Sequence, residues 1–429
     1  MTGSKKSRGS LFIGLGLLVI IGSGFALRLC HLLAKDHYYI LSFDSYFFHW
    51  LAEKVVTGEP LPANCSICGL HSGLVYPLAY LAKFISFVSG LPPSNALIVA
   101  CKILPPILGI ISMLIIYFVA SAIYDRKVGL FAAFTMAFLP HAYFIQAAGY
   151  LDRDGLSTLL IMLGAFAFFL LKSWRWQIGK LNVGWLLAGI TVAGIGELIY
   201  LEWVWVGRWL MLFVLVLFFF ALLLKGFFKT GYEKVPNSFE GGDCPNEEPQ
   251  VSGASVKGFL RRMVKRGATA VKESPWQIFL VVLILSAILE FSTGGFSSFL
   301  SRASWSTHLA ARQFPVGGGG GGGGFEVRVA EMQGLTFLNV VARYRLFIIP
   351  LAIGIVLAFI KRREADLFSL SWFLGLLLLS LSTKRILISA IPAVCLLSGV
   401  GLAFLFTPWS SHPFLRLPQA FLAVGLTFV

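Results

Sequence analysis

A handful of ionisable side chains stand out by their type and surroundings. Asp44 sits in Ser42-Phe43-Asp44-Ser45-Tyr46-Phe47-Phe48-His49-Trp50. Asp152 and Asp154 sit in Gly149-Tyr150-Leu151-Asp152-Arg153-Asp154-Gly155, and Glu331 in Val329-Ala330-Glu331-Met332-Gln333. Arg385 follows Lys384 ahead of an apolar run. Acids are scarce, 20 Asp plus Glu among 429 residues, so their positions carry information. Hard divalent cations take several oxygen ligands, and Mg or Mn sites are built from such carboxylates. Each residue alone has a plainer reading. Asp44 would cap the amphipathic helix opening at Ser45. Asp152 and Asp154 would favour the positive amino end of the next helix. Glu331 would be a loop charge, and Arg385 a topology anchor at a membrane edge.

The elements that must position these groups are membrane helices. Hydrophobic residues make up 57% of the chain and charged residues 13%, with mean hydropathy +0.81. A soluble domain carries roughly a quarter charged residues. In a bilayer core every backbone polar group must be satisfied internally, which leaves helices or closed barrels. The apolar runs are about 20 residues long without polar alternation, so they are helices. The net charge of +15 would suggest nucleic acid in a soluble protein. Here the basic residues lie between spans and hold loops on the cytoplasmic side, so no nucleic-acid partner is expected.

The first run, Leu11–Leu29, follows Lys5, Lys6 and Arg8 and lacks a small-residue cleavage site. It is expected to be an uncleaved span with its amino end inside. Alternating sides from there, residues 31–94 form a first external loop. Spans follow near Asn95–Tyr124, Val128–Gln146, Gly155–Leu171, Val183–Leu201 and Trp203–Leu224. Asp125-Arg126-Lys127, then Lys172, Arg175 and Lys180, then Lys225 and Lys229, fall on the cytoplasmic turns. Residues 225–275 form a basic cytoplasmic polar insertion. Trp276–Phe291 crosses outward to an external loop, 294–343, containing eight consecutive glycines, Gly317 to Gly324. Such a run cannot hold one conformation cheaply and suits a mobile loop or a simple tether. Tyr344–Ile360, Leu367–Leu381 and Ile386–Phe406 complete about ten spans, with Lys361-Arg362-Arg363 on the inside turn. The apolar stretch Ala420 to Val429 is too short to cross a core about 30 Å thick and reads as a truncated last span. All four acids fall on the external face of this count, which was built from basic residues alone.

Other signals are weaker. Most of the six cysteines read as small packing residues. The Cys65/Cys68 pair cannot complete a four-ligand zinc site, and an external disulfide remains open for it. Asn64-Cys65-Ser66 is an external acceptor sequon of a kind that arises often by chance. No GxGxxG, Walker loop or HExxH is present.

Taken in order, the motifs resemble those of oligosaccharyltransferase catalytic subunits. The Asp44 segment resembles the first acidic motif and Ala148-Gly149-Tyr150-Leu151-Asp152-Arg153-Asp154 the second. Val329-Ala330-Glu331-Met332-Gln333 resembles the glutamate motif of the large external loop, particularly in archaeal forms. Lys384-Arg385-Ile386-Leu387 resembles the arginine before the final helices. The resemblance implies an all-α polytopic membrane protein with a glycosyltransferase C-type helical bundle. It implies transfer of an oligosaccharide from a polyprenyl or dolichyl pyrophosphate carrier to asparagine in Asn-x-Ser/Thr, with inversion at the sugar. Asp44, Asp152, Asp154 and Glu331 would surround a divalent Mn or Mg ion and orient the acceptor amide, and Arg385 would contact the leaving phosphate. The partners implied are a lipid-linked oligosaccharide, an acceptor polypeptide and membrane lipid, with the site on the extracytoplasmic face.

Three features depart from the family pattern. Ile145 stands where the family has an arginine, seven residues before Asp152. The insertion 225–275 replaces a pair of mid-chain spans. The Trp-Trp-Asp-Tyr-Gly motif is absent; in the family it lies in an external soluble domain after the last span, so residues 1–429 read as the transmembrane catalytic domain alone, and a fragment without that domain would be inactive. The rival readings are another polyprenyl-phosphate-sugar transferase acting on lipids or hydroxyl groups, a secondary transporter, and a membrane scaffold. The first would not need a glutamate motif on a mobile loop. A transporter would place its carboxylates near span centres rather than span ends.

Overall fold

The computed structural model describes residues 3–33, 43–60, 72–172, 337–380 and 384–406, with scattered positions between 177 and 221. For Asp44 and Arg385 it describes the backbone alone. Helix α1 runs Gly3–Leu33, α2 Phe43–Thr57, α3 Ser72–Ser89, α4 Pro93–Ile123, α5 Arg126–Phe138, α6 Pro140–Phe144 and α7 Arg153–Lys172. After a four-residue antiparallel hairpin, Gln177–Ile178 with Leu181–Asn182, come α8 Phe337–Tyr344, α9 Ile348–Lys361, α10 Glu364–Ser380 and α11 Ile391–Phe406. One 3-10 helix, Arg345–Phe347, joins α8 to α9, and another, Lys384–Ala390, leads into α11.

Among the described residues, five helical stretches are long and apolar enough to cross a membrane. They are Leu11–Cys30, Pro93–Ile123, Asp154–Leu171, Val340–Lys361 and Leu387–Phe406. All five coincide with spans expected from the sequence, and α10 matches the one expected from Leu367. The spans expected at 183–201 and 203–224 lie outside the described residues except for scattered positions, and the span expected at 276–291, the insertion 225–275 and most of the loop 294–343 lie outside them altogether.

Two expectations are corrected. The span expected at Val128–Gln146 is not one helix. It breaks at Leu139, whose ψ of 119° is extended, because the ring of Pro140 excludes the helical conformation from the residue before it. The loop 31–94, expected to be a polar stretch, contains the aromatic helix α2 and the apolar helix α3. Both pack on each other and on α4.

The core is centred on α11, where every residue from Ile391 to Leu402 is buried against α5, α9 and α10. Without an aqueous phase to drive apolar faces together, membrane helices associate where small residues let their backbones approach. A Cβ on Gly354 or Gly401 would strike the Leu397 or Pro350 carbonyl, and one on Gly399 would sit 3.0 Å from the Val128 carbonyl. By contrast α1 exposes Leu11, Phe12, Leu15, Leu18 and Val19, an apolar face suited to lipid.

The two basic turns meet at one end of the bundle. Asp125 caps α5, its Oδ1 accepting from the Lys127 and Val128 backbone N–H groups at 2.8 and 2.9 Å. The neighbouring Tyr124 hydroxyl lies 3.3 Å from Ser369 Oγ, just past Lys361-Arg362-Arg363. The acidic turn Asp152-Arg153-Asp154 lies beyond the other end of α5, about 20 Å away at 1.5 Å per residue.

Candidate active site

The chain reaches the acidic turn through a chain of local constraints. After the Pro140 break, the short helix α6 ends at Ile145. The N–H groups of Gln146 and Ala147 then close back on the carbonyls of Tyr143 and Phe144. Tyr150 N–H donates to Ala147 O at 3.0 Å, closing a turn in which Gly149 has φ of 82°. That left-handed conformation is open to glycine at no steric cost. Asp152 follows immediately before α7, and Asp154 lies in the first turn of that helix. Both carboxylates are buried, 6% and 3% exposed. Their position favours negative charge twice over, through the free N–H groups at a helix start and the aligned peptide dipoles. Burying two carboxylates two residues apart is expensive unless hydrogen bonds or positive charge offset them.

Helix α2 is joined directly to this turn. Buried Ser45 donates through Oγ to Leu151 O at 2.8 Å. Ser45 follows Asp44 in the chain and Leu151 precedes Asp152, so one hydrogen bond links residues adjacent to the two acids. The rest of α2 seats Phe48, Leu51 and Ala52 in the core while Tyr46 and Trp50 stay exposed. Lys54 lies over the Trp50 ring at 5.5 Å and pairs with Glu59 at 2.8 Å. Burial lowers the His49 pKa from its usual value, with nearby Glu53 opposing the shift.

Of the residues expected at the site, Asp152 and Asp154 are brought together, and the backbone of Asp44 is carried to them by Ser45. Arg385 is the second residue of the 3-10 helix Lys384–Ala390, which packs against α7, the helix that begins at the acidic turn. Glu331 lies outside the described residues. Among the described residues no group of three or more His, Cys, Asp and Glu side chains gathers to hold a metal. The set expected from the sequence draws Asp44 and Glu331 from side chains outside that description.

The sequence reading passed over several residues that build the turn. Ser45 carried no signal beyond its place beside Asp44. Arg28 carried a stronger one, because a charge within an apolar span is costly and tends to be functional. Its side chain is fully buried and reaches α5 and the segment before the acidic turn. Another link joins α6 to the end of the long loop, where Arg343 on α8 meets His141 Nε2 at 2.9 Å. Arginine can only donate, so that ring nitrogen accepts. Ile145, at the position where the family pattern has an arginine, is buried in the apolar core.

The described helices form a membrane bundle with an acidic turn at the mouth of α7. Residues 68–313 match the family described as oligosaccharyl transferase STT3, N-terminal, and the chain belongs to that family. Its several apolar helices make it an integral membrane protein. The fold is similar to that of the archaeal oligosaccharyltransferase AglB from Archaeoglobus fulgidus in complex with an inhibitory peptide and a dolichol-phosphate. The TM-score is 0.61 at 15% identity, covering 97% of this chain and 54% of that one. It is also similar to the Archaeoglobus fulgidus oligosaccharyltransferase in complex with Zn and sulfate, with TM-score 0.55, 16% identity, and 95% and 50% coverage. The same enzyme tethered to an acceptor peptide containing an NVT sequon gives TM-score 0.54, 15% identity, and 92% and 50% coverage. The chain thus spans about half the length of these relatives. No curated protein matches it.

Proposed function

We propose that this chain is the membrane catalytic portion of an oligosaccharyltransferase. It transfers an oligosaccharide from a polyprenyl or dolichyl pyrophosphate to the asparagine of Asn-x-Ser/Thr, with inversion at the sugar. The reading rests above all on the hydrogen bond from Ser45 to Leu151 O, which sets the chain at Asp44 against the chain at Asp152. Family membership and the ordered motifs support it further. Solved relatives carry a dolichol-phosphate or a sequon peptide, in line with a lipid donor and a peptide acceptor here.

Asp152 and Asp154, with Asp44 and Glu331, would hold a divalent ion, Mn or Mg. The buried acid pair at a helix start fits such an ion, and one relative binds Zn. When bound, the ion supplies positive charge beside the pyrophosphate as it leaves. The same carboxylates accept hydrogen bonds from the acceptor amide and fix it toward the sugar carbon, since a weak nucleophile gains most from being oriented. Arg385 donates to the departing phosphate. Burial of the turn excludes water that would otherwise hydrolyse the donor. The loop 294–343 brings Glu331 over bound substrate, and its glycine run permits opening for release. In this reading about ten spans form the bundle, with 225–275 cytoplasmic and the acidic turn facing outside with 31–94 and 294–343.

The test uses the full-length protein in membranes, with a lipid-linked oligosaccharide and a fluorescent sequon peptide. Asp152→Ala should lose metal-dependent glycopeptide formation while inserting normally. Transfer at the wild-type rate by that variant rejects the reading.

A further inference from the structure

Arg28 is a fully buried cation on a helix whose outer face, Leu11, Phe12, Leu15, Leu18 and Val19, is apolar and exposed. Its nearest charge-compensating groups are neutral oxygens, and their identities explain its presence. Pro140 has no N–H, so the Met136 carbonyl one turn earlier has no helical donor, and the extended Leu139 leaves Ala137 at the frayed end of α5 as well. The Arg28 guanidinium takes both places, donating to Met136 O at 3.0 Å and Ala137 O at 3.2 Å. It also donates to Gly24 O at 2.9 Å and Gln146 Oε1 at 3.0 Å. The Gln146 amide in turn donates to Ser112 Oγ on α4 at 3.0 Å. The Arg28 carbonyl accepts from Ala148 N–H at 3.0 Å, and Ala148 opens the turn that ends in Asp152. Gly109 makes the room, since a Cβ there would overlap the Arg28 side chain.

We propose that Arg28 is a positioning residue for the acidic turn. One side chain and its own carbonyl grip both the broken end of α5 and the start of the Ala147–Tyr150 turn. The helix break and the two carboxylates therefore move with α1 as one body. The break is needed because a continuous helix through residue 146 would carry residues 147–154 away from α2. The planar fork is needed because no other side chain can donate to four oxygens at once. This inference rests on the acidic turn being the catalytic one, but its first readout does not.

Gln146→Leu keeps the volume but removes the Arg28 acceptor and the Ser112 donor, whereas Gln146→Glu keeps the acceptor. Arg28→Lys keeps the charge and loses the fork. Amide hydrogen exchange on the full-length protein in membranes reads the hinge directly. Exchange across residues 146–151 should rise roughly tenfold in Gln146→Leu and Arg28→Lys, with α4 and α11 unchanged, and return toward wild type in Gln146→Glu. Titration of Mn2+, followed by the loss of its free-ion electron paramagnetic resonance signal, reads the consequence. The midpoint should rise roughly tenfold in the same two variants and recover in Gln146→Glu. Unchanged exchange overturns the grip, and raised exchange with an unchanged Mn2+ midpoint reduces Arg28 to a structural residue and overturns the positioning role. Should Arg28→Lys fail to fold, the two Gln146 variants decide. Asp152→Ala separates the underlying reading: if that variant binds Mn2+ like wild type, the metal assignment fails, and the exchange result still judges Arg28.

Discussion

Replacing Ser45 by alanine removes the hydroxyl that joins α2 to the acidic turn and almost nothing else. The Oγ of Ser45 donates to Leu151 O at 2.8 Å in a buried setting. A buried carbonyl stripped of a donor costs about 1–3 kcal/mol. The fold absorbs this easily, because Phe48, Leu51 and Ala52 on the same helix remain seated in the core. Each such buried apolar side chain larger than alanine is worth about 1.5–3 kcal/mol. The register of Asp44 relative to Asp152 has no such reserve. If the reacting geometry needs that register and the resting state does not, the whole cost appears in the barrier, a loss of roughly tenfold to hundredfold in kcat/KM. Ser45→Thr keeps the hydroxyl and should stay within a few-fold of wild type, on the order of 1 kcal/mol or less. The assay is glycopeptide formation by full-length protein at varied acceptor peptide, alongside thermal unfolding to show that the domain is intact. Wild-type kcat/KM in a folded Ser45→Ala protein would mean that the α2 junction does not set the active geometry, and the argument linking Asp44 to Asp152 would fail with it.

Other consequences are simpler to state. Gly354→Val forces a side chain onto the Leu397 carbonyl, so α9 and α11 must separate. Overpacking of this kind costs about 1–3 kcal/mol, read as a lower thermal midpoint, while Gly14→Val, with open space around it, should leave the midpoint unchanged. Burial lowers the His49 pKa in the folded protein, so the unfolded chain takes up its proton first as pH falls. The His49 contribution is therefore complete above the unfolded value near 6.5 and declines below it, until the folded protein also titrates. Hydrogen exchange of α2 should accelerate as pH drops through that window once intrinsic exchange is divided out, and His49→Gln should flatten the profile; an equal pH response in both proteins would exclude the histidine as its source.

The spans were legible because a bilayer leaves so little choice. A run such as Leu387–Phe406 can satisfy its backbone only as a helix, and the basic turns at 125–127 and 361–363 then mark one end of the bundle. The break at Leu139 was legible in principle, since Pro140 lies inside the run expected to span, but hydropathy is blind to it and gave one span. Helix α3 was hidden for the opposite reason: it is apolar but only 18 residues long, and it begins in a segment whose length and polar ends read as a loop. At the site, the acids announced themselves by scarcity. The approach of the Asp44 backbone to the Asp152 turn was not legible, because it depends on Ser45 meeting a backbone carbonyl 106 residues away, and backbone acceptors leave no trace in residue type.

The same reasoning accounts for where the polar atoms of this membrane domain are concentrated. Four of the five side-chain hydrogen bonds of Arg28 and Gln146, and that of Ser45, end on groups between Ser112 and Leu151. Each either fills a vacancy left by the Pro140 break or fixes the chain just past it. A membrane helix cannot be interrupted without supplying substitutes for the backbone bonds it loses. An acidic turn set at the end of such an interruption is therefore held by the very groups that make the interruption tolerable. Removing Pro140 should test this coupling. Pro140→Ala returns an N–H to the Met136 carbonyl and relaxes the restriction on Leu139, so α5 can extend and compete with Arg28 for the same acceptor. Thermal stability should hold or rise, since a helical bond is regained, while glycopeptide formation should fall as the turn loses its fixed entry. A variant that gained stability and kept full activity would show that the break and the acidic turn are independent.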